Sequence, residues 1–405
     1  MKKQLRILVL TLSFGSGHVS AARAVAAEIA RQSPATEVRL TDALLNCPFW
    51  FRAFYVWTYW LMIQYAPALW NKFFHARAAR RDEQTAPVWT LKRGFKAVFE
   101  EIKTFQPDLI VACEVAACEI AVLAQRDHLT TAKIINVITD FAAEPIWVKP
   151  EVAAFTVATN RVSEQLQEWG APKEKIKVCG IPLSNSFSTR HDALATRRKF
   201  ALDERPVVLL MGGGMGPTKM HEVAEKILSR GAKLQIVALP GKDKRAARQL
   251  RKLKNAKNLT ILSWTNEVAA LMQTANLIVT KPGGVTLAEA AAAGVPLILF
   301  DPIPGPEETN AQNFVNAGAA ILTRGSGETA QIVLEMLNNA VELQKMSANL
   351  AKIARPEAAA TIARLALDTT RESFSRETTS AENSVVFAAG AFEPNLYHAD
   401  QLNSR

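Results

Sequence analysis

The stretch with the clearest potential for chemistry is the KPGG string at 281–284. The apolar run Leu277–Val279 before it predicts a buried strand, and paired glycines let the backbone approach a ligand where a Cβ would clash. Thr286 precedes Glu289 at capping-box spacing, which predicts a helix from Leu287 to Ala293. Because amides at the start of a helix favour phosphate, the string predicts an anion-binding turn.

A second polar segment follows the next predicted strand, Leu297–Phe300. The segment 301–310 is DPIPGPEETN, and its prolines predict a loop of limited freedom. Its polar side chains would lie at the carboxyl edge of a parallel sheet, where open α/β folds bind ligands. An ordinary βαβ unit with a glycine after its helix and no ligand is the alternative explanation.

Two further glycine loops follow apolar runs. Residues 13–18 are SFGSGH, after the predicted strand Arg6–Leu12, and residues 212–216 are GGGMG, after Pro206–Met211. Four glycines in five positions expose backbone amides that can form a nest for an anion. A tight turn without a ligand is the alternative for the second loop.

Asp140 comes directly after another predicted strand, Ile134–Ile138. A carboxylate at the carboxyl end of a strand faces the edge at which the glycine loops are expected, so Asp140 is a candidate base. An aspartate that caps a turn is the alternative.

These strings together resemble the monogalactosyldiacylglycerol synthase and processive diacylglycerol glucosyltransferase family. That family is related to the peptidoglycan-precursor N-acetylglucosaminyl transferase. The strings that carry the resemblance are KPGG-x-T-x-x-E-A-x-x-x-G-x-P, P-G-x-E-E-x-N, SFGSGH, TDFAAEPIWVKP and KIKVCGIP. The resemblance covers most of residues 5–370 and implies an α/β protein of GT-B fold, with two Rossmann-like domains facing each other across a cleft.

The same resemblance implies a donor site for a UDP-hexose. Glu289 would hold the ribose hydroxyls, the 307–310 segment the hexose, and the 212–216 loop would lie beside the diphosphate. The uracil ring would lie against backbone at Val268, just after a predicted short strand that ends at Trp264. The residues implied for donor binding are Gly17, Gly213, Gly214, Met215, Gly216, Trp264, Val268, Lys281, Gly283, Gly284, Thr286, Glu289, Glu307, Glu308 and Asn310.

His18, which ends the SFGSGH string, is the residue that the resemblance suggests as catalytic or acceptor-orienting. We expect His18, or Asp140 acting with it, to take the proton from the acceptor hydroxyl. A turn histidine bonded to backbone is the alternative. The sequence departs from the family pattern at Glu144, Pro306 and Thr309, where a His, a Gln and a Gly are usual, which leaves the sugar open.

An aromatic segment at 47–74 bears on the acceptor. It holds four of the eight tryptophans, and Arg52 and Lys72 are its only charged residues. Arg52, Gln64 and Pro67 interrupt it, so we expect it to lie at a bilayer interface rather than to span the bilayer. Its tryptophans, which would contact the membrane and the lipid acceptor, are Trp50, Trp57, Trp60 and Trp70. A buried helical hairpin is the alternative.

The formal net charge of +10 and pI near 9.5 call for an acidic partner, such as anionic lipid headgroups or a nucleotide diphosphate. No helix-turn-helix, zinc or RNP-like string supports nucleic acid as a partner. The four cysteines lack metal-ligand spacing and predict reduced thiols. The amino-terminal sequence lacks a signal-peptide pattern. We therefore expect a cytoplasmic protein at the inner face of the membrane.

The 405 residues are enough for two domains. We expect an acceptor and lipid-binding Rossmann-like domain at 1–185 and a UDP-sugar-binding one at 186–355. A helix at 356–371 would return to the first domain, and the polar residues 372–405 would form a mobile tail.

The expected reaction is transfer of a hexose from a UDP-sugar to the hydroxyl of diacylglycerol or a similar lipid, with inversion. The chain has no D-x-D string, so we expect no metal or other cofactor, and glycine loops and helix amino termini to stabilise the diphosphate. A nucleotide-sugar epimerase of the same fold is one alternative. A non-catalytic relative that binds a nucleotide or a lipid is the other.

Overall fold

The computed structural model describes residues 4–66, 85–213, 219–231, 233–253, 256–262, 264–303 and 305–378. Within these ranges, the side chains of residues 59, 60, 63, 64, 256 and 372–378 are outside the description.

The first half of the chain forms a parallel six-stranded sheet with the strand order β2-β1-β3-β4-β5-β6. Its strands are β1 (Arg6–Thr11), β2 (Glu37–Asp42), β3 (Leu109–Ala112), β4 (Lys133–Val137), β5 (Val152–Val157) and β6 (Ile176–Val178). The apolar residues of β1 are fully buried, because a parallel sheet is covered by helices on both faces. The strand order reverses between β1 and β3, which puts a ligand-binding crevice beside the carboxyl end of β1.

The second half forms another parallel sheet of six strands, in the order β12-β11-β10-β7-β8-β9. These strands are β7 (Val207–Met211), β8 (Gln235–Leu239), β9 (Leu259–Ile261), β10 (Leu277–Thr280), β11 (Leu297–Phe300) and β12 (Ala320–Thr323). Here the order reverses between β7 and β10, the two strands that the GGGMG and KPGG strings follow. Each half is thus a doubly wound α/β unit, as the sequence predicts, and the glycine strings lie at its switch points.

Helices flank both sheets. In the first half they are α1 (Ser16–Gln32), α2 (Phe49–Tyr65), α3 (Val88–Gly94), α4 (Lys96–Phe105), α5 (Val115–Arg126) and α6 (Asn160–Glu168). In the second half they are α7 (Ala193–Lys199), α8 (Met220–Ser229), α9 (Lys244–Leu250), α10 (Val268–Thr274), α11 (Gly284–Ala293), α12 (Pro306–Asn316), α13 (Gly325–Leu337) and α14 (Ala340–Ile353). Among the described helices, none combines the length and apolar character needed to cross a bilayer.

A final helix, α15 (Ala358–Thr378), packs against α1 of the first half. Its Ile362, Ala363 and Ala366 are fully buried in the apolar cluster that also contains Ile7 and Val9 of β1. The chain therefore crosses back after the second sheet. The helix extends beyond the expected end at residue 371, and residues 379–405 of the expected tail lie outside the described part.

Three local predictions were wrong. The helix at the KPGG string starts at Gly284 rather than after Thr286, and Gly283 is its N-cap, so Thr286 lies inside the first turn and does not cap it. The expected loop at 301–310 becomes helical from Pro306 onward. The short strand expected to end at Trp264 ends at Ile261.

Candidate functional site

His18 lies in the first turn of α1, just after the carboxyl end of β1. Its Nδ1 is 2.7 Å from Oγ1 of Thr139, a buried residue that follows β4 in the neighbouring part of the sheet. If the Thr139 hydroxyl accepts from Nδ1–H, the lone pair on Nε2 is left to accept a proton from a substrate. Thr139 therefore fixes the orientation of the His18 ring.

The protonation of His18 depends on burial and on Asp140. Burial lowers the pKa of His18 below its ordinary value of 6.5, and the charge of Asp140 opposes this shift. The imidazole is thus neutral at neutral pH, the form a general base requires. Asp140 adjoins Thr139 in the chain, so one short segment orients the histidine and supplies the charge that tunes it.

The two halves of the chain meet at this segment. A Cβ on Gly284, the first residue of α11, would lie 2.2 Å from the Thr139 carbonyl oxygen and 2.7 Å from Asp140 Oδ1. A Cβ on Gly17 would lie 3.3 Å from the Val285 side chain. The amino terminus of α11, with its unpaired amides and positive dipole end, therefore lies directly against the His18 and Asp140 segment.

The turn before α11 carries a buried cation. Lys281 is only 8% exposed, and its Nζ lies 3.9 Å from Oδ2 of Asp301, which follows β11. The Glu307 carboxylate accepts from the Ile303 amide at 2.8 Å. Burial raises the pKa of Glu307 to about 7, although the Ile303 hydrogen bond and the charge of Lys281 lower it. The carboxyl edge of the second sheet thus combines a cation with a carboxyl group that titrates near neutrality.

The segment predicted to hold the hexose is the first turns of α12 rather than a loop. Pro306 occupies the start of the helix, where its missing N–H costs no hydrogen bond, and Glu308 accepts from the Gly305 amide at 3.1 Å. Glu307 is half-buried and faces the site, Glu308 is exposed, and Asn310 has no exposed surface. The sequence predicted that Asn310 contacts the donor, whereas in this structure its side chain has no exposed surface.

Glu289 and Thr286 are both half-buried on α11. Burial raises the pKa of Glu289 to about 8, so its carboxyl group is largely protonated at neutral pH. A protonated carboxyl can both donate to and accept from hydroxyl groups, which suits contact with a diol such as ribose.

Of the other predicted donor residues, Gly213 and Val268 lie at or just beyond the ends of elements that adjoin β10 and α11, Trp264 lies at the sheet edge, and three lie outside the described part. Gly213 has a left-handed φ of 70°, and a Cβ on Gly241 would lie 2.8 Å from the Gly213 carbonyl oxygen. Gly214, Met215 and Gly216 are outside the described residues. Trp264 is 66% exposed beyond the edge strand β9. Val268 is half-buried at the start of α10, which packs against α11. The structure thus brings together the residues around α11 and α12, while Trp264 lies at the sheet edge.

The aromatic segment forms α2, which has one inward anchor and an exposed outer face. Phe51 is buried against Phe95, at a centroid distance of 5.2 Å, and a Cβ on Gly94 would lie 2.2 Å from its ring. The buried-hairpin alternative therefore holds for Phe51 and in part for Tyr55 and Val56, which pack against the same core, but not for the exposed side chains of the helix. The exposed large side chains, which we call the aromatic face of α2, are Phe49, Trp50, Phe54, Trp57, Leu61 and Tyr65. The Trp60 side chain and the whole of Trp70 are outside the described part.

Two site residues were missed by the sequence analysis. Thr139 is the first residue of the TDF string, but the sequence assigned it no role, because its contact with His18 joins residues far apart in the chain. Asn313 donates to the Phe141 carbonyl at 2.7 Å and stands three residues after Asn310 on α12. Once α12 is known to be a helix, that spacing puts both asparagines on one face.

All four cysteines are free and buried, as expected of reduced core thiols. Among the described residues, no cluster of three or more His, Cys, Asp or Glu side chains has the geometry of a metal site.

Comparisons with known proteins agree with this architecture. The family model described as monogalactosyldiacylglycerol (MGDG) synthase matches residues 18–183, and that of the glycosyltransferase family 28 C-terminal domain matches residues 207–367. The processive diacylglycerol beta-glucosyltransferase of Bacillus cereus (strain G9842) is 28% identical over 365 residues, which cover 89% of this chain and 92% of the relative.

Two solved structures share the fold. MurG of Acinetobacter baumannii has a TM-score of 0.59 at 16% identity, covering 90% of this chain and 99% of that one. A putative UDP-N-acetylglucosamine 2-epimerase from Listeria monocytogenes has a TM-score of 0.61 at 12% identity, covering 95% and 98%. The fold alone thus does not separate transferases from epimerases. The two family models and the sequence relatives do separate them: the chain belongs to the monogalactosyldiacylglycerol synthase and diacylglycerol glucosyltransferase family, and its fold is GT-B.

Proposed function

We propose that this protein transfers a hexose from a UDP-sugar to the hydroxyl of diacylglycerol or a similar lipid, with inversion and without a metal ion. The observation that carries the proposal is the contact between Gly284 and the Thr139–Asp140 segment. Through this contact, the amino terminus of an anion-favouring helix lies next to a neutral histidine and a carboxylate. The diphosphate can therefore be stabilised as it leaves the anomeric carbon, while a base beside it takes the proton of the acceptor hydroxyl that attacks the same carbon.

The donor would bind at the carboxyl edge of the second sheet. The amides of α11 and the Lys281 cation favour the diphosphate, and the half-buried Glu289 suits the ribose hydroxyls. Glu307, on the side of the site near Asp140, is the candidate hexose contact. On the family resemblance, Trp264 and the glycines at 214 and 216 would also contact the donor.

The transfer would be a single displacement. The acceptor oxygen attacks the anomeric carbon, the bond from that carbon to the diphosphate oxygen breaks, and the acceptor proton goes to His18 Nε2 or to Asp140. One attack opposite the leaving group inverts the anomeric configuration. Charge on the departing UDP would be stabilised by backbone amides and Lys281, so no metal ion is needed for the step.

The acceptor would come from a membrane surface at the aromatic face of α2. Trp57 is 68% and Tyr65 74% exposed, and aromatic rings of this kind prefer the interface between headgroups and acyl chains. Trp89 of α3 is also exposed, and the exposed cations Arg93 and Lys96 lie close by in the chain. Since Phe51 anchors α2 to the first half, this helix can hold the protein peripherally on the inner face of a membrane.

The deciding experiment is incubation with mixed lipids, including diacylglycerol, and each UDP-sugar in turn, with and without EDTA. We expect mass spectrometry to find a hexosyl lipid for at least one sugar, at the same rate in EDTA. Anomeric analysis by NMR should find the configuration opposite to that of the donor. Interconversion of UDP-sugars without any glycolipid would support an epimerase, and UDP binding without turnover would support a non-catalytic relative.

A further inference from the structure

Helix α12 contributes side chains that cross from the second half of the chain to the first. Asn310 Oδ1 accepts from the Phe141 amide at 2.9 Å, and its Nδ2 donates to Asp140 Oδ1 at 2.9 Å. Asn313 Nδ2 donates to the Phe141 carbonyl at 2.7 Å, and Phe314 meets the Phe141 ring edge-on at 4.8 Å. One face of α12 is therefore joined to the segment that carries the candidate base.

The amide of Asn310 is fully committed to this junction. Its Nδ2 has two hydrogens, and besides Asp140 it donates to the Pro282 carbonyl at 3.2 Å, in the turn before α11. Asn310 has no exposed surface, so its side chain cannot reach a substrate in this arrangement. The residue links Asp140, the KPGG turn and α12, three parts of the site that come from both halves.

The Asp140 carboxylate is the partner of Asn310 that could take part in proton transfer. A carboxylate that accepts a charge-assisted hydrogen bond is held in one orientation. The other titratable groups around Asp140 are His18 from α1, Glu307 from α12 and, through Glu307, Lys281 and Asp301 from the turns after β10 and β11. Only Asn310 has a described hydrogen bond to the Asp140 carboxylate that comes from the opposite half.

We propose that Asn310 is a positioning residue: it holds the Asp140 carboxylate in place for proton transfer, and it does so only when α12 is docked on the first half. The helix that bears the hexose-facing Glu307 then also orients the group that activates the acceptor. The inference rests on the proposed transfer reaction for its kinetic consequences, whereas its effect on Asp140 and His18 is independent of that reaction.

The test compares Asn310→Ala and Asn310→Asp with the matched control Asn313→Ala. The control removes a hydrogen bond from the same junction without touching Asp140. We expect Asn310→Ala to lower kcat by about 100-fold with KM for the UDP-hexose changed by less than about three-fold. The acidic limb of the kcat profile should move to lower pH by about half a unit, because an Asp140 carboxylate that is no longer held in place raises the pKa of His18 less. Asn313→Ala should change kcat by less than about three-fold and leave the limb in place.

Asn310→Asp keeps the volume of the side chain. It is used in place of Asn310→Ala if circular dichroism shows that the alanine variant is unfolded. It removes the donor and adds a like charge, and the same criteria for kcat and KM apply to it. Variants of Asn310 whose kcat and pH profile match those of Asn313→Ala would overturn the inference, even if the transfer reaction is established.

If the wild-type chain transfers no hexose, the proposed function fails and a second readout decides. The His18 imidazole is titrated by NMR, with its resonance assigned from a His18→Gln variant. Displacement of the Asp140 carboxylate should lower the pKa of His18 in Asn310→Ala by about half a unit or more, and Asn313→Ala should leave it unchanged. An unchanged His18 pKa in both variants would overturn the positioning role.

Discussion

The carbonyl oxygen of Thr139 and the Cα of Gly284 are in such close contact that a Cβ on Gly284 would lie 2.2 Å from that oxygen. One residue belongs to the segment after β4 and the other begins α11, so this contact fixes how the two halves meet. Glycine is required there for close approach rather than for its backbone angles, because it continues directly into the helix.

Gly284→Ala should therefore separate α11 from the Thr139 segment. The added methyl group meets backbone on the opposite side, which cannot move aside as a flexible side chain could, and overpacking of this kind costs about 1–3 kcal/mol. We expect a lower urea midpoint and a transfer rate reduced by about 100-fold, since the reacting groups are displaced. Gly15→Ala is the folding control, because nothing lies within 4 Å of its Cβ position and its φ of −146° suits alanine. Equal urea midpoints for the two variants would contradict the contact.

Substitution of either candidate base should strongly reduce transfer without unfolding the protein. His18→Ala and Asp140→Asn are each expected to lower kcat/KM by about 100- to 10,000-fold, the range that general base catalysis contributes. His128→Asn, at an exposed loop position with φ of 55° that asparagine tolerates, is the control and should retain full activity. Full activity in both site variants would exclude the proposed roles.

The pH profile of kcat/KM tests which group is the base. Because the pKa of His18 lies below 6.5, a reaction that uses neutral His18 should be independent of pH above that value and fall as the pH drops through the pKa. Asp140 raises the pKa of His18, so residual activity of Asp140→Asn should show its acidic limb at lower pH than the wild type. A limb that stays in place in this variant would show that His18 is not the group that titrates.

The raised pKa of Glu289 should make the folded chain less stable as the pH rises. Its pKa is raised from 4.5 to about 8 in the folded chain, so between these values the unfolded chain loses a proton that the folded chain keeps. Its contribution is fully present below about pH 4.5 and is lost as the pH rises to about 8. Differential scanning calorimetry should give Glu289→Gln a Tm about 2–4 °C above wild type at pH 8 and close to it at pH 5. Glu335→Gln, at an exposed carboxyl group of α13, should show no such difference between the two pH values.

The aromatic face of α2 should control membrane association. Removal of two exposed tryptophans, in Trp50→Ser/Trp57→Ser, should weaken flotation with vesicles of phosphatidylglycerol and phosphatidylcholine by at least about ten-fold, because each ring loses apolar burial worth about 1.5–3 kcal/mol. Activity on a short-chain diacylglycerol in detergent should change much less. Val341→Ser removes an equally exposed apolar side chain from α14 and should float like the wild type. Undiminished flotation of the double variant would show that the aromatic face of α2 does not hold the protein on the membrane.

The sequence by itself determined the doubly wound α/β architecture and the glycine strings at its functional edge. Buried strands such as β1 and β10 consist mainly of apolar residues, and glycines follow them where the backbone must approach a ligand closely, so both features can be recognised from the local sequence. The family strings then implied the residues of the donor site and His18.

Only the tertiary structure decided how those parts meet. The close approach of Gly284 and the burial of Asn310 depend on contacts with the Thr139–Phe141 segment, which is about 140–170 residues away in the chain. No local spacing encodes such contacts, because they arise when two sheets pack through residues remote in sequence. For the same reason, the sequence showed α2 to be aromatic, but packing against Gly94 and Phe95 decided that Phe51 faces inward and Trp57 outward.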